Sequence, residues 1–329
     1  MLLAAVAAGL VPGCGDDAPV DDGLDAGTGP NTGADGGAGT QEGGGGIVGA
    51  SCPVFPSDNP WNRDVSGDPV DPRSDEYIAH MGGASAMLHP DFGSDPTYGI
   101  PWIAVPKTQA RVPVSFDYAD ESDPGPYPIP INAPIEGGAS GGGDRHVIAI
   151  DSDDCKLYEL YDAHPGSNAW TAGSGAIFDL RSNKLRPEGF TSADAAGLPI
   201  FPGLVRYDEA VTKGVIAHAL RFTVKSTQNA YVHPATHAAS SVTDTAAPPM
   251  GLRVRVKASY DISKLTGASK VIATAMKKYG MLLADNGSNW YISGETQAKW
   301  DDDDLSQLKK VPAAAFEVVK LDTVLKNPP

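Results

Sequence analysis

The sequence predicts a mainly β fold, a single-domain β-sandwich or barrel of jelly-roll type with two short helices. Two observations predict it: many short runs of β-branched and aromatic residues, and turns between them that draw on 28 Pro and 38 Gly. Helical periodicity is confined to two stretches in the last third of the chain. The 329 residues, 41% of them hydrophobic, suffice for one large domain or two small ones.

The first fourteen residues are predicted to be a signal and lipobox segment. MLLAAVAAGLVPG is apolar but too short to span a bilayer, and VPGC resembles a bacterial lipobox, in which the cysteine, here Cys14, is lipidated. Without that modification the segment would be an apolar leader with a free thiol. We therefore expect an exported protein, either a cell-envelope lipoprotein that contacts the membrane through its lipid anchor only or an extracellular protein.

Residues 15–50 are predicted to be a disordered tether rich in Gly and Asp. The segment has seven acidic residues and no Lys or Arg, so it offers too little apolar surface to offset the entropy of ordering. The whole chain has a formal net charge of −16, which argues against nucleic acid as a partner because neutralising phosphates needs a basic face.

The remaining residues, 51–329, are predicted to form one β-rich globular domain. Proline and glycine crowd residues 52–143, so short extended pieces and turns are expected there, with IPWIAVP and ARVPVSFDY as strands. GGASGGGD at 137–144 is interpreted as a mobile loop within this domain. It is not a domain boundary, because 52–136 has too few periodic elements to form its own core.

The middle of the chain has the clearest strand pattern. RHVIAID and CKLYELYDA, separated by Ser152, Asp153 and Asp154, predict a β-hairpin. Ser269 is predicted to cap the helix KVIATAMKKYG, and DDDDLSQLKKV is the second short helix. Further strands are predicted at GAIFDL, VIAHALRFTV, GLRVRVKASY, MLLAD, NWYISG and AAFEVVKL.

Two cysteines remain if Cys14 is lipidated. An exported chain meets oxidising conditions, so we expect a disulfide between Cys52 and Cys155, the alternative being two free thiols.

His146 in the predicted hairpin is the first candidate for chemistry. With a three-residue loop it shares a face with Asp144, Tyr158 and Asp162; with a two-residue loop it lies opposite Tyr161 and diagonal to Glu159. Either register brings His146 near a carboxylate, as a general base or a metal ligand requires. The alternative is a half-buried polar pair on the sheet.

Carboxylates in the hairpin and in later loops are the second set of candidates. Glycoside hydrolysis needs two carboxyl groups on opposite sides of the bond, roughly 5 to 10 Å apart. The predicted pair is Glu159 or Asp162 from the hairpin with Asp194 or Glu209 from the loops, and for each acid the alternative is a turn residue or solvated charge. The predicted assisting residues are His146, His218 and Arg221.

No cofactor is predicted. A metal held by His146, His218, His233 and His237 is the weaker alternative. His233 and His237 have the spacing of a zinc helix, but Pro234 removes the helix.

Four stretches resemble segments of an uncharacterised family of secreted bacterial proteins with a lipoprotein-type N-terminus. They are GDRHVIAIDSDDCKLYELYDA, SADAAGLPIFPGLVRYDE, HALRFT and MKKYGMLLADNGSNWYISG. The resemblance covers roughly residues 52–320 and implies an exported role. It carries no assigned activity and assigns no catalytic residues.

These observations predict a cell-surface protein that acts on polysaccharide, with glycoside hydrolysis as the leading function. Loop carboxylates and scattered aromatic side chains, including five Trp, fit a protein that handles sugars. The first alternative is a polysaccharide lyase, with His146 or Tyr161 as base and Arg221 neutralising a uronate. The second is a non-catalytic carbohydrate-binding or envelope structural protein.

Overall fold

The computed structural model describes residues 52–328, so the predicted signal, Cys14 and the tether lie outside the described residues. The predicted mainly β class is confirmed, since thirteen strands in this part of the chain form three sheets. The strands are β1 His89–Pro90, β2 Trp102–Val105, β3 Val114–Phe116, β4 Val147–Asp151, β5 Lys156–Tyr161, β6 His164–Pro165, β7 Trp170–Ala172, β8 Ser174–Asp179, β9 Leu220–Val224, β10 Arg253–Val256, β11 Met281–Asn286, β12 Tyr291–Ile292 and β13 Phe316–Val318.

Helices are few and short in the described residues. They are α1 Ser74–His80, α2 Gly267–Lys278 and α3 Asp302–Leu305, with a π-helical turn at Asp208–Lys213 and five 3₁₀ turns. Helix α2 begins two residues before the predicted cap, so Ser269 lies in its first turn, where its hydroxyl donates to the Asp304 carbonyl. Across residues 52–328, no helix combines the length and the apolar composition needed to cross a bilayer.

The largest sheet has six strands in the order β1-β12-β9-β11-β10-β13. Phe222 of β9 is in register with Leu283 of β11 and Ile292 of β12, and all three side chains are fully buried in the main core. Because side chains alternate along a strand, Arg221 and Thr223 point to the opposite face. That face carries the polar residues of the site described below.

The four-stranded sheet, in the order β2-β4-β5-β8, has a hydrophobic core on each side. Ile148 and Ile150 of β4 belong to the larger core, and Val147 and Ala149 to the smaller one. The three-stranded sheet β3-β7-β6 contributes Trp170 to the smaller core. The four-stranded sheet is therefore buried on both faces, which explains the almost continuous apolar run in β4.

Strands β4 and β5 form the predicted hairpin. Asp151 pairs with Lys156 and Val147 with Leu160, so the register extends to His146 opposite Tyr161, the second of the two predicted registers. Cys155 in the turn is joined to Cys52 by a disulfide, with the two Cα atoms 5.4 Å apart.

Four of the strand pairings in the described residues are parallel, namely β1–β12, β2–β4, β3–β7 and β9–β11. A parallel pair cannot be joined by a tight hairpin and needs a long crossover. These contacts therefore bring together segments that are far apart in the chain, and they determine which polar residues meet.

Candidate active site

The floor of the site is the polar face of the six-stranded sheet. Ser293 follows β12, and Arg221 lies beside it on β9. On β11 the register shifts between Leu283 and Asp285, and this irregularity brings Asp285 opposite Thr223. Asp285 therefore shares the face of Thr223 and Arg221 instead of pointing into the core.

Arg221 and Asp194 form a buried, two-pronged ion pair on this floor. The guanidinium Nε and Nη2 atoms donate to the two carboxylate oxygens at 2.9 and 2.7 Å, and Nη1 donates to the Ser293 hydroxyl. The side chains are 4% and 0% exposed. Burial disfavours the cation, yet Asp194 raises the pKa of Arg221 above its ordinary value.

The loop that carries Asp194 is fixed to the bulged strand. The Ala196 amide donates to the Ala284 carbonyl of β11, and the Ser192 hydroxyl donates to the Asp194 carbonyl. These bonds hold the loop across the polar face, so the position of Asp194 depends on the backbone of β11.

His146 and Glu136 form a second ion pair beside the first. His146 Nδ1 lies 2.6 Å from Glu136 Oε2, and Nε2 lies 3.0 Å from the Ala193 carbonyl. Both acceptors require a ring N–H, so the ring is the doubly protonated cation. Burial disfavours that cation, but the charge and hydrogen bond of Glu136 raise the pKa of His146 to about 9. In turn, His146 lowers the pKa of Glu136 against the effect of burial.

Glu159, on the same side of the hairpin, is fully buried and bonded to backbone. Its carboxylate accepts from the Ile200 amide at 2.9 and 3.0 Å and from the Phe201 amide at 2.9 Å. Burial raises the pKa of Glu159 to about 7, although these amides oppose the shift. Because its side chain is closed off from solvent, Glu159 acts as a positioning residue for the loop after Asp194.

Asp285 was not predicted and has the most unusual environment of these carboxyls. Burial raises its pKa to about 8, with the charges of Asp194 and Asp144 adding to the shift and Arg221 and His146 opposing it. The residue as a whole is nevertheless half-buried and not fully enclosed. One sequence signal could have found it: an acid that ends the apolar run MLLA and precedes the turn NGS.

The other predicted acids have different partners. Glu209 accepts from Arg206 at 2.9 Å and from His218 at 3.0 Å. Burial opposes ionisation there, but the interactions with Arg206 and His218 lower the pKa of Glu209 to about 2. Asp162 is partly exposed and lies 2.8 Å from His164 Nε2. Of the seven predicted catalytic residues, the structure thus brings four together around one loop. Asp194 lies on that loop, and His146, Glu159 and Arg221 each bind to it.

The histidines of the metal alternative have separate partners. His146 contacts Glu136, His218 contacts Glu209, His233 contacts Glu188 at 2.7 Å, and His237 contacts the Ala195 carbonyl at 2.7 Å. Within residues 52–328, no three His, Cys, Asp or Glu side chains are grouped as a metal site requires.

Comparison with known proteins gives no matching family model, no matching curated protein and no matching solved structure.

Proposed function

We propose that the protein is an enzyme that hydrolyses glycosidic bonds in an extracellular polysaccharide, with Asp285 as proton donor and Glu136 as the second carboxylate. The observation that carries the proposal is that these two acids, both influenced by the buried His146 and Arg221 cations, lie in environments that shift their pKa values in opposite directions. Burial raises the pKa of Asp285 to about 8, whereas His146 lowers that of Glu136. Two carboxyls with pKa values driven apart are the usual acid and base of such sites.

The proposed reaction uses each group in its favoured state. Asp285 gives its proton to the glycosidic oxygen as the bond from that oxygen to the anomeric carbon breaks. Glu136, oriented by His146, accepts a proton from the water that adds to the anomeric carbon. The products are two shorter glycans, and proton exchange with solvent then reprotonates Asp285 and removes the proton from Glu136.

The same contacts weigh against the lyase alternative. A base must accept a proton, but both nitrogens of His146 donate to fixed acceptors. Arg221 is occupied by Asp194 and Ser293, so it has little capacity to neutralise a uronate. Burial and the charges of Asp144, Asp162 and Asp285 raise the pKa of Tyr161, which keeps its phenol protonated and so unable to accept a proton.

The direct experiment follows the full-length protein on a panel of neutral, amino-sugar and uronate polysaccharides. New reducing ends and the absorbance of unsaturated uronates are recorded in the same samples. We expect reducing ends without the unsaturated product, and a loss of roughly 100-fold in Asp285→Asn. Asp179→Asn is the matched control, because Asp179 is an exposed acid paired with Lys156.

Each other outcome contradicts the proposal in a distinct way. An unsaturated product would assign elimination. Full activity in Asp285→Asn would remove Asp285 as the donor. A folded protein that leaves every polysaccharide intact would favour the binding or structural alternative.

We also propose, from the N-terminal sequence, that the protein is exported and lipidated at Cys14. The disulfide between Cys52 and Cys155 supports an oxidising compartment. The test is membrane retention of the protein in a bacterium that processes lipoproteins. It should be lost in Cys14→Ala and kept in Cys52→Ala, while equal retention of both variants would contradict the anchor.

A further inference from the structure

Two tyrosines and a glycine lie next to the proposed site, around the end of the β4–β5 hairpin. The Gly173 amide donates to the Tyr161 carbonyl at 2.8 Å, and the Gly173 carbonyl accepts from the Tyr118 amide at 2.9 Å. A Cβ on Gly173 would lie 2.7 Å from Tyr161 Cδ1, so the ring packs directly over this glycine. Gly173 therefore fixes Tyr161 and Tyr118 as neighbours.

Tyr118 is held by its backbone while its ring faces solvent. The preceding amide, of Asp117, donates to the Ala172 carbonyl at 3.0 Å, and the Tyr118 carbonyl accepts from the Ser122 hydroxyl at 2.7 Å. The residue is nevertheless 54% exposed. An exposed ring on a fixed backbone is a preorganised apolar surface, on which the C–H face of a pyranose can stack at little entropic cost.

Tyr161 lies close to His146 of the proposed site, because both residues belong to the same hairpin. The centroids of the Tyr161 and His146 rings are 6.0 Å apart. The Asp162 amide donates to the Asp144 carbonyl at 2.8 Å, which places both acids beside Tyr161. A sugar on Tyr118 and Tyr161 would thus adjoin the site in which Asp285 acts.

The charges around this surface are acidic. Asp144 is exposed and Asp162 is partly exposed, whereas His146 and Arg221 are almost fully buried and held by Glu136 and Asp194. The exposed imidazole of His164 is paired with Asp162. Each of these three groups of the described chain is thus already paired with a carboxylate, and a uronate or sulfated chain would meet carboxylates.

We propose that Tyr118 and Tyr161 form a sugar-binding subsite for a glycan that carries no carboxylate or sulfate groups. The inference rests on the proposed hydrolase and adds its substrate class. Stacking on the rings supplies affinity, and Asp144 and Asp162 accept hydrogen bonds from hydroxyl or amino groups and repel anionic sugars.

The test measures binding by titration calorimetry on full-length protein carrying Asp285→Asn, so that turnover does not consume the ligand. The probes are hexasaccharides of glucose, glucosamine and galacturonate, representing neutral, cationic and anionic chains. We expect the glucose or glucosamine chain to bind and Tyr118→Ala to weaken that binding roughly tenfold. Tyr118→Trp, which keeps an aromatic face, should retain most of the affinity.

Tyr98→Ala is the matched control, because Tyr98 is also 54% exposed but lies in another turn. Equal losses in Tyr98→Ala and Tyr118→Ala would mean unspecific adsorption and would overturn the subsite. Preferred binding of the galacturonate chain would overturn the substrate class.

The two proposals fail differently. Binding that depends on Tyr118, without turnover by the wild-type protein, would remove the hydrolase and leave the subsite. Turnover that is unchanged in Tyr118→Ala would remove the subsite and leave the hydrolase.

Discussion

His146 Nδ1 and Glu136 Oε2 lie 2.6 Å apart, and the opposite ring nitrogen lies 3.0 Å from the Ala193 carbonyl. A single buried imidazolium therefore joins the segment before the β4–β5 hairpin to the loop that carries Asp194. The adjacent Arg221–Asp194 pair ties the same loop to β9. These two ion pairs hold three distant parts of the chain together. A change in the protonation of His146 should therefore affect the stability of the fold as well as the activity.

The free energy of unfolding should fall as the pH rises from about 5 to about 9. The folded-state pKa of His146 is raised to about 9, so its stabilisation is complete below its ordinary value of 6.5 and is lost as the pH rises through 9. The raised pKa values of Asp285 and Glu159, about 8 and about 7, act in the same direction from about pH 4 upward. The His146 contribution is on the order of 3 kcal/mol.

Urea denaturation of wild type and His146→Gln at several pH values measures this effect. The variant should lose most of the dependence between pH 6.5 and 9, the range set by the ordinary and raised pKa values of His146. His80→Gln, a change at an exposed histidine of α1, should keep it. If the free energy of unfolding changed equally with pH in His146→Gln and in wild type, that result would contradict the charged state of His146.

Asp194→Asn should destabilise the protein by roughly 3 to 5 kcal/mol, because Arg221 would remain buried without its carboxylate. Replacing both partners, in Asp194→Leu with Arg221→Met, should recover part of that loss, since no unpaired charge remains. Thermal and urea unfolding of the two variants provide the measurement. A double variant less stable than Asp194→Asn would contradict this interpretation.

Glu159→Ala should reduce stability without removing the chemistry. The change leaves the Ile200 and Phe201 amides without their acceptor and opens a cavity, at a cost of about 3 kcal/mol. Activity per folded molecule should stay within about fivefold of wild type, far from the roughly 100-fold loss expected for a catalytic acid. A fold-intact Glu159→Ala protein with no activity would make Glu159 a catalytic residue after all.

Arg253 and Arg255 lie on the same face of β10 and should respond differently to substitution by Met. Arg255 Nε donates to Glu317 at 2.8 Å, whereas buried Arg253 leaves Nη1 without a hydrogen-bond partner among the described residues. Burial and the charge of Arg63 lower the pKa of Arg253 to about 10. Arg253→Met should therefore stay within about 1 kcal/mol of wild type, and Arg255→Met should lose about 2 kcal/mol. Paired urea titrations give both values.

The pH profile of kcat/KM should fall above about pH 8 if Asp285 gives the proton, because burial raises its pKa to about 8 and only the protonated form is a donor. The measurement uses initial rates of reducing-end release. An unchanged rate from pH 7 to pH 10 would show that a group other than Asp285 donates.

The fold class and the main strands follow from the sequence, because alternation and turn residues are local signals. The β4–β5 hairpin is an example, with the register that extends to His146 opposite Tyr161 already among the two considered. Helix α1 was missed, since its seven residues are too few for a periodic pattern. Among the described residues, the parallel pairings are likewise non-local and leave no short-range signal.

The candidate site was only partly predictable for the same reason. His146, Glu159, Asp194 and Arg221 could be selected by residue type and strand position. Their pairing could not be predicted, because Asp194 contacts Arg221 across 27 residues of sequence and Glu136 contacts His146 from a Pro- and Gly-rich segment. Asp285 depends on a register shift in β11, which is a property of the assembled sheet.

The disulfide between Cys52 and Cys155 determines how a pulling force would pass into the protein. A load on the residues before Cys52 crosses the sulfur bridge to the turn between β4 and β5, bypassing the intervening chain. That covalent loop spans a sequence separation of 103 residues. Its contour, about 360 Å when fully extended, is released only after reduction. The hairpin that carries His146 and Glu159 near its other end is thus joined covalently to the residue at which the described chain begins.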